Sequence, residues 1–332
     1  MSYNIAVVGA TGNVGREILD ILVERKFPVN AVYAVASEQS VGKKVSFGDD
    51  LLKVEALSSF DFSKVDIALF SAGSAVSEKY GLIAAQHAIV IDNTSYFRTF
   101  DDIPLVIPEV NREALGQYSN RNIISNPNCA VMQMLLALKP LHDHTRIKRV
   151  VVTTFQSVSG AGKAAMDELF MQTKGKYMNE ALPNHVFPKQ ISFNVIPKIG
   201  DFDKVGNTGE ELKIIAETKK ILDPDIEVSA TCVRVPVFLG HSESVNVEFD
   251  GYISAETAHE ILENAPGVIL HHPSAVFTPI ECVGDDEVYV SRIRQDNSRE
   301  NCLNMWIVSD NLRKGAALNA VQIAEELVKN YI

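Results

Sequence analysis

Asn4-Ile5-Ala6-Val7-Val8-Gly9-Ala10-Thr11-Gly12-Asn13-Val14-Gly15-Arg16-Glu17-Ile18-Leu19-Asp20-Ile21-Leu22 is the stretch that decides the fold. Ile5 to Val8 is a short unbroken apolar run, the composition of a strand buried on both faces of a parallel sheet. Glycines follow at 9, 12 and 15, and Ile18, Leu19, Ile21 and Leu22 then recur at helical spacing. Strand, glycine turn and helix in that order make a dinucleotide-binding unit. The glycines permit a tight turn and close approach of backbone to a pyrophosphate, which then meets the helix N-terminus. The spacing is G-x-x-G-x-x-G rather than G-x-G-x-x-G, so the turn alone also admits a ligand-free connection.

Working outward, Ala31 to Val35 reads as the second strand, and at its end an NAD-specific fold usually carries an acidic residue for the ribose hydroxyls. Ala36 and Ser37 stand there instead, followed by Glu38, Gln39, Ser40, Lys43 and Lys44. Hydroxyls, an amide and cations suit a 2′-phosphate, whereas Glu38 offers a carboxylate to a bare ribose; NADP is the expected cofactor. Ile67 to Phe70 and Ile89 to Ile91 are further strands, ending in Ser71-Ala72-Gly73-Ser74 and Asp92-Asn93-Thr94-Ser95. Those carboxyl ends form the ligand crevice of an open α/β sheet. Arg98 follows directly, either as an anion ligand or as an ordinary surface charge.

Ser125-Asn-Pro-Asn-Cys129-Ala-Val-Met-Gln-Met134 places one thiol at a turn where a helix begins. Pro127 disfavours helix at Asn126, Asn128 is a good N-cap residue, and Ala130 to Leu138 is apolar enough for a buried helix. A thiol at a helix N-terminus is biased toward thiolate. Cys129 is therefore a candidate nucleophile, against the ordinary behaviour of a free cysteine as a small buried apolar residue.

Beyond this helix the pattern turns to longer strands with wider gaps, which predicts a second domain of α+β type. Val150 to Phe155 runs into the second glycine turn, Gln156-Ser-Val-Ser-Gly-Ala-Gly162; Lys174 to Lys189 reads as a long polar loop; and Thr208 to Leu222 is a helix carrying Glu210 and Lys213 on one face. The strand Val228 to Arg234 delivers a guanidinium. His241 follows Gly240 before the strand Val245 to Phe249, as a neutral-pH acid or base or as a structural strand-end histidine. Glu287 to Arg292 and Leu303 to Val308 are later strands, and an amphipathic helix closes the chain near Tyr331.

At 332 residues the chain has room for two domains. A net charge of −11 argues against a nucleic-acid surface while leaving room for a local basic pocket. Cys129, Cys232, Cys282 and Cys302 are far apart and share no ligand spacing with histidine, so neither a metal nor a disulfide framework is expected. Reduced thiols, no leader sequence and no membrane-length apolar run predict a cytoplasmic protein with no membrane association.

Gly-Ala-Thr-Gly-Asn-Val-Gly, Asp-Asn-Thr-Ser-Tyr-Phe-Arg, Asn-Pro-Asn-Cys, Gln-Ser-Val-Ser-Gly-Ala-Gly, Glu-Glu-Leu-Lys, Arg-Val-Pro-Val and Gly-His occur in this one order, and together they resemble the aspartate-semialdehyde dehydrogenases. The resemblance spans nearly the whole chain, from the first strand to Ser309-Asp-Asn-Leu312 and Gly315-Ala-Ala317. It implies an α/β fold of glyceraldehyde-3-phosphate dehydrogenase-like architecture. A Rossmann-type NADP-binding domain would cover 1–127, an α+β catalytic and dimerisation domain 128–312, and a C-terminal helix returning to the first domain 313–332.

It further implies that Cys129 forms an acyl thioester, that His241 is its acid/base partner and that Gln156 positions the reacting carbon. Arg234 would bind the substrate α-carboxylate, a bidentate task suited to guanidinium. Glu210 would face the amino group, Arg98 and Lys213 would hold phosphate, and Asn128 would lie on the substrate side. Gly9, Thr11, Gly12, Asn13, Val14, Ser37, Gln39, Ser40, Ser159, Gly160 and Asn319 would line the NADP site, with Gln39 standing where many relatives carry arginine. The implied reaction is NADPH-dependent reductive dephosphorylation of L-aspartyl-4-phosphate to L-aspartate 4-semialdehyde, in lysine, threonine, methionine and diaminopimelate biosynthesis, by a homodimer. The same cysteine chemistry would serve an N-acetyl-glutamyl-phosphate reductase, from which Glu210 discriminates because a free amine wants a carboxylate. A dinucleotide-sensing binding protein with an inert Cys129 is the alternative of another class.

Overall fold

The computed structural model describes residues 1–180, 183–270 and 275–332, which form two compact units, Met1–Asn128 with Ala316–Ile332 and Cys129–Gly315. All counts of elements refer to those residues. In the first unit β1 (Tyr3–Val8) leads through the glycine turn to α1 (Asn13–Glu24), then β2 (Val29–Ala36), the β3 (Lys44–Phe47) and β4 (Asp50–Lys53) hairpin, and the two-residue β5 (Glu55–Ala56). β6 (Ile67–Phe70), α2 (Ser74–Ala84), β7 (Ile89–Asp92), the single turn α3 (Pro108–Asn111) and β8 (Ile123–Ser125) complete it. The strand order is β5-β2-β1-β6-β7-β8, every pair parallel.

The continuous apolar run of β1 has the consequence expected of it. Ile5 and Val7 enter one core with Ile18 and Leu22, whereas Ala6 and Val8 enter another with Val35 and Phe70, so both faces of the strand are buried. The C-terminal helix Leu318–Asn330 puts Leu318, Val321, Ala324 and Leu327 into the core that holds Ile5 and Val7. Asn319, wholly buried, donates from Nδ2 to the Val106 carbonyl at 3.0 Å and to Asn126 Oδ1 at 2.6 Å.

The second unit opens with α4 (Cys129–His144), buried along almost its whole length. β9 (Ile147–Gln156), α5 (Lys163–Met178), α6 (Gly209–Ile221), β10 (Glu227–Arg234), β11 (His241–Phe249), α7 (Ala255–Glu263), β12 (Val268–Leu270), the short α8 (Pro279–Cys282), β13 (Val288–Gln295) and β14 (Cys302–Ser309) follow. The sheet is mixed, in the order β10-β9-β11-β14-β13-β12. Helix α6 begins at a capping box: Thr208 Oγ1 accepts from the Glu211 N–H, and Glu211 Oε2 accepts from the Thr208 N–H at 2.6 Å.

One expectation is corrected. The stretch from Lys174 to Lys189, whose polar composition predicts a loop, continues α5 as far as Met178; of that stretch, residues 181 and 182 lie outside the described residues. Gly175 costs a helix roughly 1 kcal/mol, but here it is buried and its carbonyl accepts the Glu180 N–H at 2.8 Å. Glu168 then ties the following segment down, accepting from the backbone N–H groups of His185 at 2.8 Å and Val186 at 2.6 Å.

Candidate active site

Cys129 is the first residue of α4 and is partly exposed, whereas Ala130 to Leu138 behind it are buried. The other three cysteines are buried, so the helix N-terminus is where a thiol meets solvent. Gly315, in the wide helical turn Arg313–Ala317, passes so close that an added Cβ would lie 3.0 Å from Cys129 Cβ. Only glycine leaves that thiol uncrowded.

Across the adjoining sheet, register brings the other candidates into one row. Arg234 pairs with Gln156 on β9, His241 pairs with Ser309 on β14, and Ser242 pairs with Phe155, which sets His241 beside Gln156. Arg234, Gln156, His241 and Ser309 thus share one face at the end of four neighbouring strands. Ser309 Oγ donates to Gln133 Oε1 at 2.7 Å, joining the row to α4 one helical turn beyond Cys129. Gln156 Nε2 donates to Glu210 Oε1 at 3.1 Å, and Lys213 Nζ reaches Glu210 Oε2 at the same distance. Arg234 donates from Nη1 to the Ser157 carbonyl at 2.6 Å. Burial pushes its guanidinium down, while the proximity of Glu210, Cys129 and Cys232 opposes that shift. Cys129, Gln156, Glu210, Lys213, Arg234 and His241 are accordingly one cluster within one unit.

His241 is fully buried, and burial with Arg234 nearby pulls its imidazole down to about 3. Its Nδ1 accepts the Ser157 backbone N–H at 3.1 Å and lies 3.0 Å from Ser157 Oγ. Asn311 holds this arrangement from behind: its Oδ1 accepts from the Gly240 N–H at 2.9 Å and from Ser157 Oγ at 3.0 Å, and its Nδ2 donates to Ser159 Oγ at 2.9 Å. Gly160 faces the opposite edge of the ring, where a Cβ would come within 3.2 Å of Arg234 Nη1 and 3.3 Å of His241 Nε2. Ser157 and Asn311 lie within the Gln-Ser-Val-Ser-Gly-Ala-Gly and Ser-Asp-Asn-Leu motifs, where nothing local marks a role for them. Their function depends on contacts across 84 and 154 residues that no local signal encodes.

In the other unit, Arg98 is buried and donates from Nη2 to the Asn93 carbonyl at 2.9 Å. Asp92 organises this segment, accepting from Ser77 Oγ at 2.8 Å, the Thr94 N–H at 3.0 Å and Thr94 Oγ1 at 2.8 Å. Burial raises the Asp92 carboxyl, and these bonds oppose the shift. Asn128, also buried, is the last residue before Cys129.

The glycine turn fits a dinucleotide. Gly9 has φ +95°, which glycine tolerates, and a Cβ on Gly15 would lie 2.2 Å from the Gly9 carbonyl oxygen. Gly12 caps α1 without a side chain, leaving space over the N-terminus beside Asn13 and Val14. Ser37, Gln39 and Ser40 form the short turn after β2, with Ser40 Oγ 3.5 Å from Thr11 Oγ1. Glu38, the possible ribose ligand, accepts instead from Ser58 Oγ. Ser159 and Gly160 lie in the second unit, in the turn after β9. Among the described residues no cluster of metal-ligating side chains occurs, and no helix is long and apolar enough to cross a membrane.

A parallel nucleotide-binding sheet in one unit, and in the other a cysteine at a helix start beside a buried histidine and arginine, define an oxidoreductase of the semialdehyde dehydrogenase class. The family models agree: that of the semialdehyde dehydrogenase NAD binding domain matches residues 4–118, and that of the dimerisation domain matches residues 138–314. The aspartate-semialdehyde dehydrogenase of Rickettsia bellii is 56% identical over 334 residues, 99% of each chain. Aspartate semialdehyde dehydrogenase II of Vibrio cholerae, solved complexed with ASA, superposes with a TM-score of 0.99 at 49% identity over 100% of both chains. The Candida albicans enzyme, solved with NADP, is 25% identical with a TM-score of 0.77 over 100% of both chains. The chain belongs to the aspartate-semialdehyde dehydrogenase family.

Proposed function

We propose that this protein interconverts L-aspartyl-4-phosphate and L-aspartate 4-semialdehyde with NADP(H), in the biosynthesis of lysine, threonine, methionine and diaminopimelate. The observation that carries this reading is the cluster of Cys129 with the Arg234–Gln156–His241 row in one unit. Full-length identity to proteins named for aspartate semialdehyde favours it over the N-acetyl-glutamyl-phosphate alternative. Cys129 is the nucleophile. A thiolate attacks acyl phosphate at neutral pH and also leaves readily from a hemiacetal. Arg234 takes the α-carboxylate in a bidentate pair, Glu210 the amino group, and Arg98 and Lys213 the phosphate, with Asn128 on the substrate side. Gln156, tied to Glu210, orients the reacting carbon, and His241 faces the carbonyl oxygen.

Gly9, Thr11, Gly12, Asn13, Val14, Ser37, Gln39, Ser40, Ser159, Gly160 and Asn319 are assigned to NADP, which when bound supplies or accepts hydride at the thioester carbon. The bond from Ser58 to Glu38 supports the 2′-phosphate reading, since it engages the carboxylate that a bare ribose would need. A homodimer is proposed through the second unit, for which the matching family model is named and whose outer sheet face carries the Phe155–Trp306 ring pair. Free thiols suit a cytoplasmic location. The direct test is phosphate-dependent reduction of NADP with aspartate semialdehyde. No phosphate dependence, or no turnover of this substrate, sinks the assignment.

A further inference from the structure

We infer that Glu168 and Gln172 of α5 are positioning residues: they set the spacing between Arg234 and Glu210, and so fit the site to a carboxylate and a free amine on one carbon. What Arg234 and Glu210 bind rests on the proposed function, which this role deepens.

Residues 183–208, between α5 and α6, contain no helix or strand, only isolated bridges from Ile196 to Arg234 and from Phe202 to Thr208. Backbone N–H groups in such a stretch have no ladder to enter and need other acceptors. Two buried side chains one turn apart on α5 supply them. Glu168 Oε2 accepts from the N–H groups of His185 at 2.8 Å and Val186 at 2.6 Å. Gln172 Oε1 accepts from those of Ile191 at 2.9 Å and Ser192 at 3.2 Å. Gln172 Nε2 donates to Glu168 Oε1 at 3.2 Å and to Asn184 Oδ1 at 3.1 Å, so the two side chains also brace each other. Apolar contact completes the clamp. Ile191 and Ile196 share a small core with Ala165 and Leu169 of α5 and with Val158, in the turn that follows Gln156.

The clamped segment ends on the two substrate-side residues. β10 is an edge strand, so the outward N–H and C=O of its last residue, Arg234, need a partner outside the sheet. Ile196 provides both, accepting the Arg234 N–H at 2.8 Å and donating to the Arg234 carbonyl at 2.9 Å. Further along, the Ile199 carbonyl accepts the Glu210 N–H at 3.2 Å, and the Asp201 carbonyl accepts that of Gly209 at 2.9 Å. The chain from Ile196 to Ile199 is therefore a strut with the Arg234 backbone at one end and the Glu210 backbone at the other. Deeper in β10 the same edge is closed independently of α5, by Glu211 Oε1 on the Cys232 N–H at 3.0 Å. A carboxylate and an amine on one carbon have a fixed span, and displacing one of the groups that hold them by about 1 Å costs up to about 100-fold.

The test compares the parent enzyme with Glu168→Ala, Gln172→Ala and Glu168→Gln. Each is assayed on aspartate semialdehyde, with 4-oxobutanoate as a competitor; this compound keeps the carboxylate but lacks the amine, so it engages Arg234 alone and is indifferent to the spacing. In both alanine variants KM for aspartate semialdehyde rises about tenfold, whereas KM for NADP and Ki for 4-oxobutanoate stay within about twofold. Glu168→Gln keeps an oxygen for the His185 and Val186 N–H groups and recovers most of the loss. Hydrogen exchange on the same proteins without substrate shows the Arg234 and Glu210 amides exchanging faster in the alanine variants and the Cys232 amide unchanged. Should Glu168→Ala fail to fold, Gln172→Ala carries the same readouts with the carboxylate in place. KM and Ki rising together, Glu168→Gln as impaired as Glu168→Ala, or parent exchange rates at Arg234 and Glu210 overturns the inference. A parent enzyme without phosphate-dependent turnover sinks the substrate assignment alone, because exchange reads the strut without substrate.

Discussion

Two neighbouring rows of the second sheet point from the same face and differ in depth by one pleat. The outer row is Arg234, Gln156, His241 and Ser309; the inner row is Cys232, Thr154, Glu243 and Ile307. Both rows hold ionisable groups, yet the inner ones are silenced. Burial pushes the Cys232 thiol up to about 12 and raises the Glu243 carboxyl well above the usual range. Neither Glu243 oxygen nor Gln133 Nε2 makes a hydrogen bond among the described residues, although that amide is the group opposing the shift. A thiol and a carboxyl one row in are thus a neutral hydrophobe and a neutral acid, whereas Cys129 and Glu210 stand where solvent or counter-charges reach them. Reach to solvent or to a counter-charge, more than residue type, separates chemistry from packing.

The largest effect that could break this contrast is on turnover. Cys129→Ser should keep the fold and NADP binding while kcat falls by at least about 10⁴-fold, the scale on which losing a nucleophile acts. Cys232→Ala should keep most of its activity. Comparable losses from the two would show that the inner thiol takes part. Iodoacetamide at neutral pH should correspondingly modify Cys129 well before Cys232, Cys282 or Cys302, and substrate should slow it.

Within the outer row, Arg234→Lys keeps the charge but removes the bidentate fork, so KM should rise roughly 10- to 100-fold, equivalent to the loss of about 1.5 to 3 kcal/mol. An unchanged KM would mark Arg234 as structural, like its inner neighbours.

Glu243 and His241, two residues apart on β11, should tilt stability in opposite directions. The Glu243 value is raised from 4.5 on folding, so the folded protein keeps a proton that the unfolded chain releases. Stability is therefore lost as pH rises above 4.5, by up to about 1.4 kcal/mol per unit. His241 is lowered from 6.5 to about 3, so its contribution is lost as pH falls below 6.5. Glu243→Gln should flatten the alkaline slope of Tm against pH and leave the acid slope; an unaltered alkaline slope would mean that Glu243 is ionised in the fold.

The smallest effect concerns the first unit, where the proposed function assigns cofactor choice to the turn after β2. Gln39→Arg should raise the NADP over NAD ratio of kcat/KM by about tenfold, one charge-assisted bond, and Glu38→Ala should raise it further. A parent enzyme that prefers NAD would reassign Glu38, despite Ser58, to the ribose.

Much of this was legible in the chain. The run Ile5 to Val8, its glycine turn and the spacing of α1 specify a doubly buried strand leading into a helix, because period and turn chemistry are local. Pro127 and Asn128 likewise announce that a helix starts at Cys129. The motif order was specific enough to name the family. Periodicity failed at Lys174 to Met178, where polar composition and a glycine hid the end of α5, and tertiary contacts of the buried Gly175 outweighed its low propensity. The Ser157 N–H that meets His241 Nδ1 lies 84 residues away, and the burial that raises the Glu243 carboxyl comes from a helix laid over its strand. His241 and Glu243 follow the same alternation in sequence. Which of them ends beside Arg234 and Gly160, and which faces Gln133 of α4, is decided only when β9, β11 and β14 come into register and α4 packs over them.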